Sequence, residues 1–447
     1  MTNSVPPRSR MFQPAFRTNT TAMTAGILLI GLISFGAAPA QAQAFTVLHS
    51  FTGGSDGKIP YAGLTMDRAG NLYGTTAYGG FTGNDCGQAG NVGGCGTIFR
   101  LTREGSGWAF NSLYQFQGFP SGDGAQPWGR VIIGPDGNLY GTTLYGGLTG
   151  PDCVGSFEVG CGTVFKLTPP ATFCRNVLCS WNETRLYSFA GEPDGAGPEG
   201  EIAFDAAGNL YGATNSGGAY SPWGTLFELT PAYGAWQETV LYNFMQRLDG
   251  GGPRGGVAVD PAGNVYGTTW IGGAGDFGTI FQLASSGSGW TLNTLYSYGT
   301  GNGFGSYAGV IIDAAGNLYG ATVNGDPNGD AYVYELSPSN GGWIYNTLYI
   351  FPQCYGCGPA ANLVMDAAGN LYGTTRGLAE TGNPWGNVFK LTPSNGGWIY
   401  TDLHDFTGGS DGGVPYSSLV LDSNGNLYGT TTAGGQYGVG VVFEITP

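Results

Sequence analysis

Asp366–Gly373 reads DAAGNLYG, and near-copies of the phrase recur along the whole 447-residue chain. Aligned on its Asn, the phrase falls at Asn71, Asn138, Asn209, Asn264, Asn317, Asn370 and Asn426, at intervals of 67, 71, 55, 53, 53 and 56 residues. The first two intervals are long because they carry cysteine-containing insertions. Seven units with a basic length near 53 residues demand a repeat architecture. In the unit around Asn264, GVAVD (256–260), NVYGTT (264–269), GTIFQLA (278–284) and WTLNTLYSY (290–298) are β-branched and aromatic runs bounded by Gly, Pro or Asp. Each reads as a strand. Four strands repeated seven times predict an all-β, seven-bladed β-propeller. A β-solenoid would want a coil of about 20–30 residues, and a helical solenoid a 3.6-residue period that is absent.

The two ends sharpen this expectation. FTVLHSFTGGSDGKIPYAGLTMD (45–67) returns as TDLHDFTGGSDGGVPYSSLVLD (401–422). The chain past residue 44 therefore opens on the fourth strand of a unit and closes, at GVVFEITP (440–447), after the third. Strand 45–51 is expected to complete the last blade beside 441–446, closing the ring and removing its open edges.

Within the phrase, the Asp ends one strand and the Gly supplies a positive φ before the next. This is a type I turn with a G1 bulge, its Asp carboxylate accepting turn N–H groups. Asp67, Asp205, Asp260, Asp313, Asp366 and Asp422 hold the slot; the second unit has Gly134 there and an acid two places on, at Asp136. Calcium would need several oxygen ligands in one loop, and one Asp with one Asn is too few. The following Tyr (73, 140, 211, 266, 319, 372 and 428) reads as packing between blades, and the next Gly as a point of close backbone approach.

Residues 1–44 have the form of an export signal. Arg8, Arg10 and Arg17 precede the apolar run AGILLIGLISFGAA (25–38), and APAQAQA (38–44) offers cleavage after Ala40, Ala42 or Ala44. The run is shorter than the roughly 18–20 residues that span a bilayer, which counts against an uncleaved anchor, and no later stretch could cross one. Beyond it lie 12 basic and 30 acidic residues, a formal charge of −18 with no basic cluster, which counts against nucleic acid as a partner. Aromatics at 13% against 10% charged residues argue for a folded, turn-dense chain. The eight cysteines form close pairs: Cys86 with Cys95, Cys153 with Cys161, Cys174 with Cys179, and Cys354 with Cys357. In an exported protein these read as loop-stapling disulfides. CYGC (354–357) has the spacing of a zinc half-site, but no second pair or nearby histidine completes it.

The hairpin turns lie at one end of each blade; the loops entering the first strand and leaving the second lie at the other. The entering loops carry Asp56, Asp123, Asp194, Asp249 and Asp411, with Tyr61, Trp128, Tyr307 and Tyr416. The leaving loops carry Tyr78, Tyr145, Tyr220, Trp223, Trp270, Trp385 and Tyr437. Carboxylates for sugar hydroxyls and aromatic faces for stacking make this rim a candidate glycan surface; the competing reading is turn chemistry and loop shielding. The two histidines, His49 and His404, occupy equivalent repeat positions (LHSF and LHDF), so no Ser–His–Asp or Cys–His set is available. Rim acids keep a carboxylate mechanism open.

Across 45–447 the pattern D-x-x-G-N-L-Y-G-T-T-x-x-G-G … G-T-V-F-x-L-T … W … L-Y-x-F … D-G-x-x-P resembles the tandem-repeat GloVer family of exported, choice-of-anchor bacterial proteins. The resemblance implies an exported repeat protein and brings no assigned activity. Pro447 directly follows the last strand, so release or periplasmic residence is expected rather than anchoring. The glycine doublets 79–80, 146–147, 217–218, 272–273 and 434–435 are also kelch-like, without the central histidines of copper-containing kelch oxidases. A weaker similarity to NHL and gluconolactonase-type propellers rests on D-x-x-G-N-x-Y alone. The expectation is one propeller at 45–447, exported, monomeric, without cofactor or metal, acting as a non-catalytic binding module for a glycan or an extracellular protein. The alternative is a carboxylate-dependent polysaccharide hydrolase, lyase or lactonase working at the same rim.

Overall fold

The computed structural model describes residues 43–447 apart from 83–85, 87–92, 119–121, 150–152, 154–158, 171–180, 288, 300–304, 324–328, 355 and 378–381. Each recurring phrase builds the same hairpin. In the sixth, the Asp366 N–H donates to Asn370 O (3.0 Å) and the Gly369 N–H to Asp366 O (3.0 Å). Gly369 has φ +81°, a conformation that side chains resist, so the turn requires glycine there. The Asp366 carboxylate accepts from Ala368 N, Asn370 N, Asn370 Nδ2 and the Tyr372 hydroxyl, at 2.9, 2.9, 2.7 and 3.0 Å. The Tyr thus latches the hairpin as well as packing. In the second unit Asp136 performs the same work from two residues later, accepting from Asn138 N (3.1 Å), Asn138 Nδ2 (2.7 Å) and Tyr140 OH (2.8 Å).

Seven four-stranded antiparallel sheets follow, each running from an inner two-residue strand outward. Their first strands are Thr65–Met66, Ile132–Ile133, Ala203–Phe204, Ala258–Val259, Ile311–Ile312, Val364–Met365 and Val420–Leu421. Blades are numbered 1 to 7 in that order; the molecule is a seven-bladed β-propeller. The seventh blade takes its outer strand from the start of the chain: Ala44–Ser50 pairs antiparallel with Val441–Thr446, from Ala44 opposite Thr446 to Ser50 opposite Val441. The closure expected from the matching ends is present.

The blades are joined at their seams by aromatic pairs. The last residue of each L-Y-x-F run meets the middle of the next blade's third strand: Phe51–Phe99, Phe116–Phe165, Phe189–Phe227, Phe244–Phe281, Tyr298–Tyr334, Phe351–Phe389 and Phe406–Phe443. All seven are edge-to-face, and every ring is essentially buried. The glycine after the repeated Tyr makes room for the third-strand ring rather than for backbone: a Cβ on Gly373 would lie 2.6 Å from the Phe389 ring. The outer-strand Trp adds a second seam contact, as Trp108 does on Tyr428 (5.9 Å). Second-strand threonines add a third, donating to the next blade's inner strand: Thr268 to Ala308 O (2.7 Å), Thr374 to Ser417 O (3.1 Å) and Thr430 to Ala62 O (3.1 Å).

Disulfides join Cys86 to Cys95, Cys153 to Cys161 and Cys354 to Cys357, which is compatible with an oxidising, extracytoplasmic compartment. Three of the four expected pairs are therefore present. The fourth expected pair, Cys174 with Cys179, lies outside the described residues. Among the described residues no helix is long and apolar enough to cross a membrane.

These contacts set two measurable outcomes. Phe51→Ala, which empties the seam at the ring closure, should cost about 3–5 kcal/mol in urea unfolding; the control Phe81→Ala, whose ring is 46% exposed, should stay within about 0.5 kcal/mol of wild type. The carboxyls of Asp67, Asp260, Asp313, Asp366 and Asp422 are held below their usual range, burial pushing up but Asn, backbone and Tyr donors outweighing it. A depressed folded-state pKa gives stability that is complete above the unfolded value of about 3.9 and lost as pH falls through the folded value. The melting temperature should therefore drop as pH is lowered below about 4, and Asp366→Ala should cost about 1.5–3 kcal/mol at pH 7 while flattening that acid limb.

Candidate functional site

The inner strands surround a central channel, and the residues facing it come from one stretch of each entering loop. The residue after the loop's Pro (after Ser306 in blade 5) is Tyr61, Trp128, Glu199, Arg254, Tyr307, Ala360 and Tyr416 in chain order. Two positions on stand Gly63, Arg130, Glu201, Gly256, Gly309, Asn362 and Ser418. All of these except Gly309 line one polar cavity of about 80 Å³. The positions between them are small because neighbouring inner strands touch: a Cβ on Gly200 would sit 2.4 Å from Gly255 O.

The lower layer is one hydrogen-bonded set from four blades. Arg130 Nη2 donates to Glu201 Oε2 at 2.9 Å, an ion pair, and Asn362 Nδ2 donates to the same oxygen at 3.2 Å. Ser418 Oγ donates to Glu201 Oε1 at 3.3 Å. Asn362 is held in turn by Gly309 N, which donates to Oδ1 at 2.6 Å. Arg130 Nε is buried with no hydrogen-bond partner.

The upper layer is aromatic and charged. Tyr61 meets Trp128 and Tyr416, each at 5.1 Å between ring centroids. Trp270 stacks on Tyr307 at 4.4 Å, and the Arg254 guanidinium lies 5.5 and 5.3 Å from those two rings. Arg376 lies 4.3 Å over Tyr416. Asn215 donates to Glu199 Oε1. Burial pushes the Glu199 carboxyl up, against the pull of Arg254 and Asn215. Burial likewise raises the hydroxyls of Tyr61 and Tyr416, which Arg376 draws back. Asn215, Trp270 and Arg376 share a repeat position, the residue directly after the second strand's Thr pair or Ala-Thr pair.

The rim acids named from the sequence hold their own loops. Asp56 accepts from Thr52 N (2.8 Å) and His49 Nε2 (3.1 Å), and Asp123 from Gln117 N (3.0 Å) and Tyr114 OH (2.9 Å). Asp194 accepts from Ala190 N (3.1 Å) and Tyr187 OH (2.7 Å), Asp249 from Met245 N (2.9 Å) and Tyr242 OH (3.1 Å), and Asp411 from Thr407 N (2.9 Å) and Thr407 Oγ1. Of the rim aromatics, Tyr61, Trp128, Trp270, Tyr307 and Tyr416 gather at the channel mouth. Tyr145 is buried, Tyr78 and Trp223 are half-buried, and Trp385 covers Gly408, where a Cβ would lie 2.2 Å from its ring.

Sequence reading missed Arg130, Glu199, Glu201, Arg254, Asn362, Arg376 and Ser418. For all but Arg376 a signal was available: the first and third positions after the Pro of D-G-x-x-P differ from unit to unit, and they lead into the ring's innermost strands. A second cavity, of about 820 Å³, opens at the hairpin end between blades 7, 1 and 2, and Arg130 borders it too. Most of its charges are engaged: Asp67 and Asp422 in their turns, Arg103 with Glu444 (2.8 Å) and Tyr428 (3.1 Å). Among the described residues, no three His, Cys, Asp or Glu side chains group so as to hold a metal ion.

Comparison with solved structures gives distant likenesses. A Thermus thermophilus protein named as an oxidoreductase (glucose dehydrogenase) is 15% identical, covering 90% of this chain and 99% of its own, with a TM-score of 0.41. A Dyadobacter fermentans protein of unknown function is 12% identical over 90% and 96%, with a TM-score of 0.43. A gluconolactonase of Xanthomonas campestris is 13% identical over 70% and 91%, with a TM-score of 0.36. No protein of curated function matches the sequence. The Gloeobacter/Verrucomicrobia repeat matches residues 33–183, 86–311, 153–383 and 309–447. With its repeats thus covering the propeller from end to end, the chain belongs to the Gloeobacter/Verrucomicrobia repeat family.

Proposed function

We propose that this chain is an exported, monomeric, non-catalytic binding module, secreted or periplasmic, whose ligand is a glycan lying across the channel mouth. The observation that carries this reading is the aromatic crown of Tyr61, Trp128 and Tyr416, joined by Trp270 and Tyr307, around a small polar well. Flat aromatic faces suit the C–H faces of sugar rings, and a ring of donors and acceptors suits their hydroxyls. The well itself, at about 80 Å³, is far below the roughly 300–1,000 Å³ of sites that enclose a ligand. The glycan therefore rests on the crown and sends at most one substituent inward. A protein partner, the other class expected from the sequence, would need a broader apolar face than this concave mouth offers.

One observation favours the catalytic alternative. Glu199 and Glu201 stand two apart in the stretch leading into one inner strand, the first with its carboxyl pushed up by burial, the second ion-paired to Arg130. Two carboxylates in unlike environments are the pattern of an acid and a base.

The readings separate by experiment. In the binding reading, Trp128→Ala weakens the best ligand from a glycan array about five- to tenfold, in line with the ~1–1.5 kcal/mol of one aromatic contact. Asp123→Asn leaves affinity within about twofold, and no product accumulates on prolonged incubation. Affinity indifferent to Trp128, Tyr61 and Tyr416 would remove the crown from the site. Reducing ends or unsaturated products that disappear in Glu199→Gln, with binding retained, would establish the enzyme instead.

A further inference from the structure

Among the cations at the channel mouth, one stands apart. Arg130 is paired with Glu201, and Arg254 lies near Glu199, whose carboxyl it stabilises in the charged form. Arg376 has no ion-pair partner among the described residues, and its Nε is buried without a hydrogen-bond partner. Its position is fixed from both sides. The Arg376 N–H donates to Cys357 O (2.9 Å), within the loop closed by the Cys354–Cys357 disulfide, and its guanidinium lies over the face of Tyr416. The Tyr416 hydroxyl engages part of this guanidinium; a planar fork on a ring face has further N–H edges, and its shape matches a carboxylate.

Local charge points the same way. Among the described residues, Arg130 and Arg254 in the cavity wall and Arg376 beside it over Tyr416 stand against two carboxylates, Glu199 and Glu201, a surplus of one positive charge in a chain whose formal net charge is −15. At physiological ionic strength charges beyond about 8 Å are largely screened, so this local surplus outweighs the distant acids in deciding what binds at the mouth. A partly desolvated cation with no counter-charge beside it is unfavourable unless a ligand supplies one.

We propose that the mouth selects glycans bearing a carboxylate, with Arg376 receiving that carboxylate while Tyr61, Trp128 and Tyr416 stack against the sugar rings. The proposal rests on the glycan reading and narrows its ligand class to acidic sugars. Arg376 is then the specificity residue, and the crown supplies affinity common to acidic and neutral sugars.

The test uses oligosaccharides of galacturonate, glucuronate and mannuronate, each beside its carboxyl-reduced neutral counterpart of the same linkage. Affinities for the full-length chain are measured by titration calorimetry at about 0.15 M salt. At least one acidic oligosaccharide is expected to bind about tenfold or more tightly than its reduced counterpart, the scale of one charge-assisted hydrogen-bonded pair. Arg376→Gln is expected to abolish that preference and leave the neutral affinity within about twofold, while Arg376→Lys keeps part of it; an unchanged melting temperature certifies both folds. Equal affinity for acidic and neutral forms, or a preference that survives Arg376→Gln, overturns the acidic-sugar assignment and leaves glycan binding standing. Failure of every acidic and neutral oligosaccharide to bind overturns both.

Discussion

The edge-to-face contact between a fourth-strand aromatic ring and the next blade's third-strand ring is the constraint on which the propeller depends. A four-stranded sheet cannot bury its own two faces, so each blade must be covered by its neighbours. The seven seams do this with one device, a buried ring pair at 5.1–6.0 Å. Such a pair contributes about 0.5–1.5 kcal/mol beyond the area it buries. The contact dictates its surroundings: the glycine opposite each third-strand ring, the small residues where inner strands touch, and the need for a strand from the start of the chain. Without Ala44–Ser50 the seventh blade would lack Phe51, and the seam to blade 1 would be open. At one seam both rings are Tyr, and the Tyr298 hydroxyl donates to that of Tyr334 at 2.9 Å, so the polar atoms buried there satisfy one another.

The geometry also separates structural work from recognition. At the hairpin end every unit spends its Asp, Asn and Tyr on one another, which leaves little for a ligand. At the other end the rim acids do similar duty for the entering loops. Only the inner-strand positions are released from these tasks, since they line the channel rather than a turn or a seam. Glutamate, arginine, tryptophan and tyrosine coexist there in a single layer.

Much of the architecture was legible in the sequence because it is repeated. DAAGNLYG counts the blades, and the shared phrase at 45–67 and 401–422 announces the closure. The role of Asp136 was also visible as a displaced acid. The site was harder to read for a physical reason: Arg130, Glu201, Asn362 and Ser418 are separated by dozens to hundreds of residues, and each looks ordinary in its own unit. They form a set only after seven blades bring their innermost strands to a common axis. The carboxylates at Asp56, Asp123, Asp194, Asp249 and Asp411 drew attention because they repeat, and repetition here marks shared loop hydrogen bonds. Arg376 follows the same lesson, sitting where other units have Ala77, Leu144, Val323 or Thr432.

Each wall position of the channel comes from a different copy of the same unit, so the make-up of the channel wall is combinatorial. Exchange of one unit for another would keep the shared seam rings and turns, except where a unit has its own device, such as the matched hydroxyls of Tyr298 and Tyr334. It would replace only one sector of the channel's perimeter. Such a chain can change its channel lining one sector at a time while its folding problem stays nearly the same.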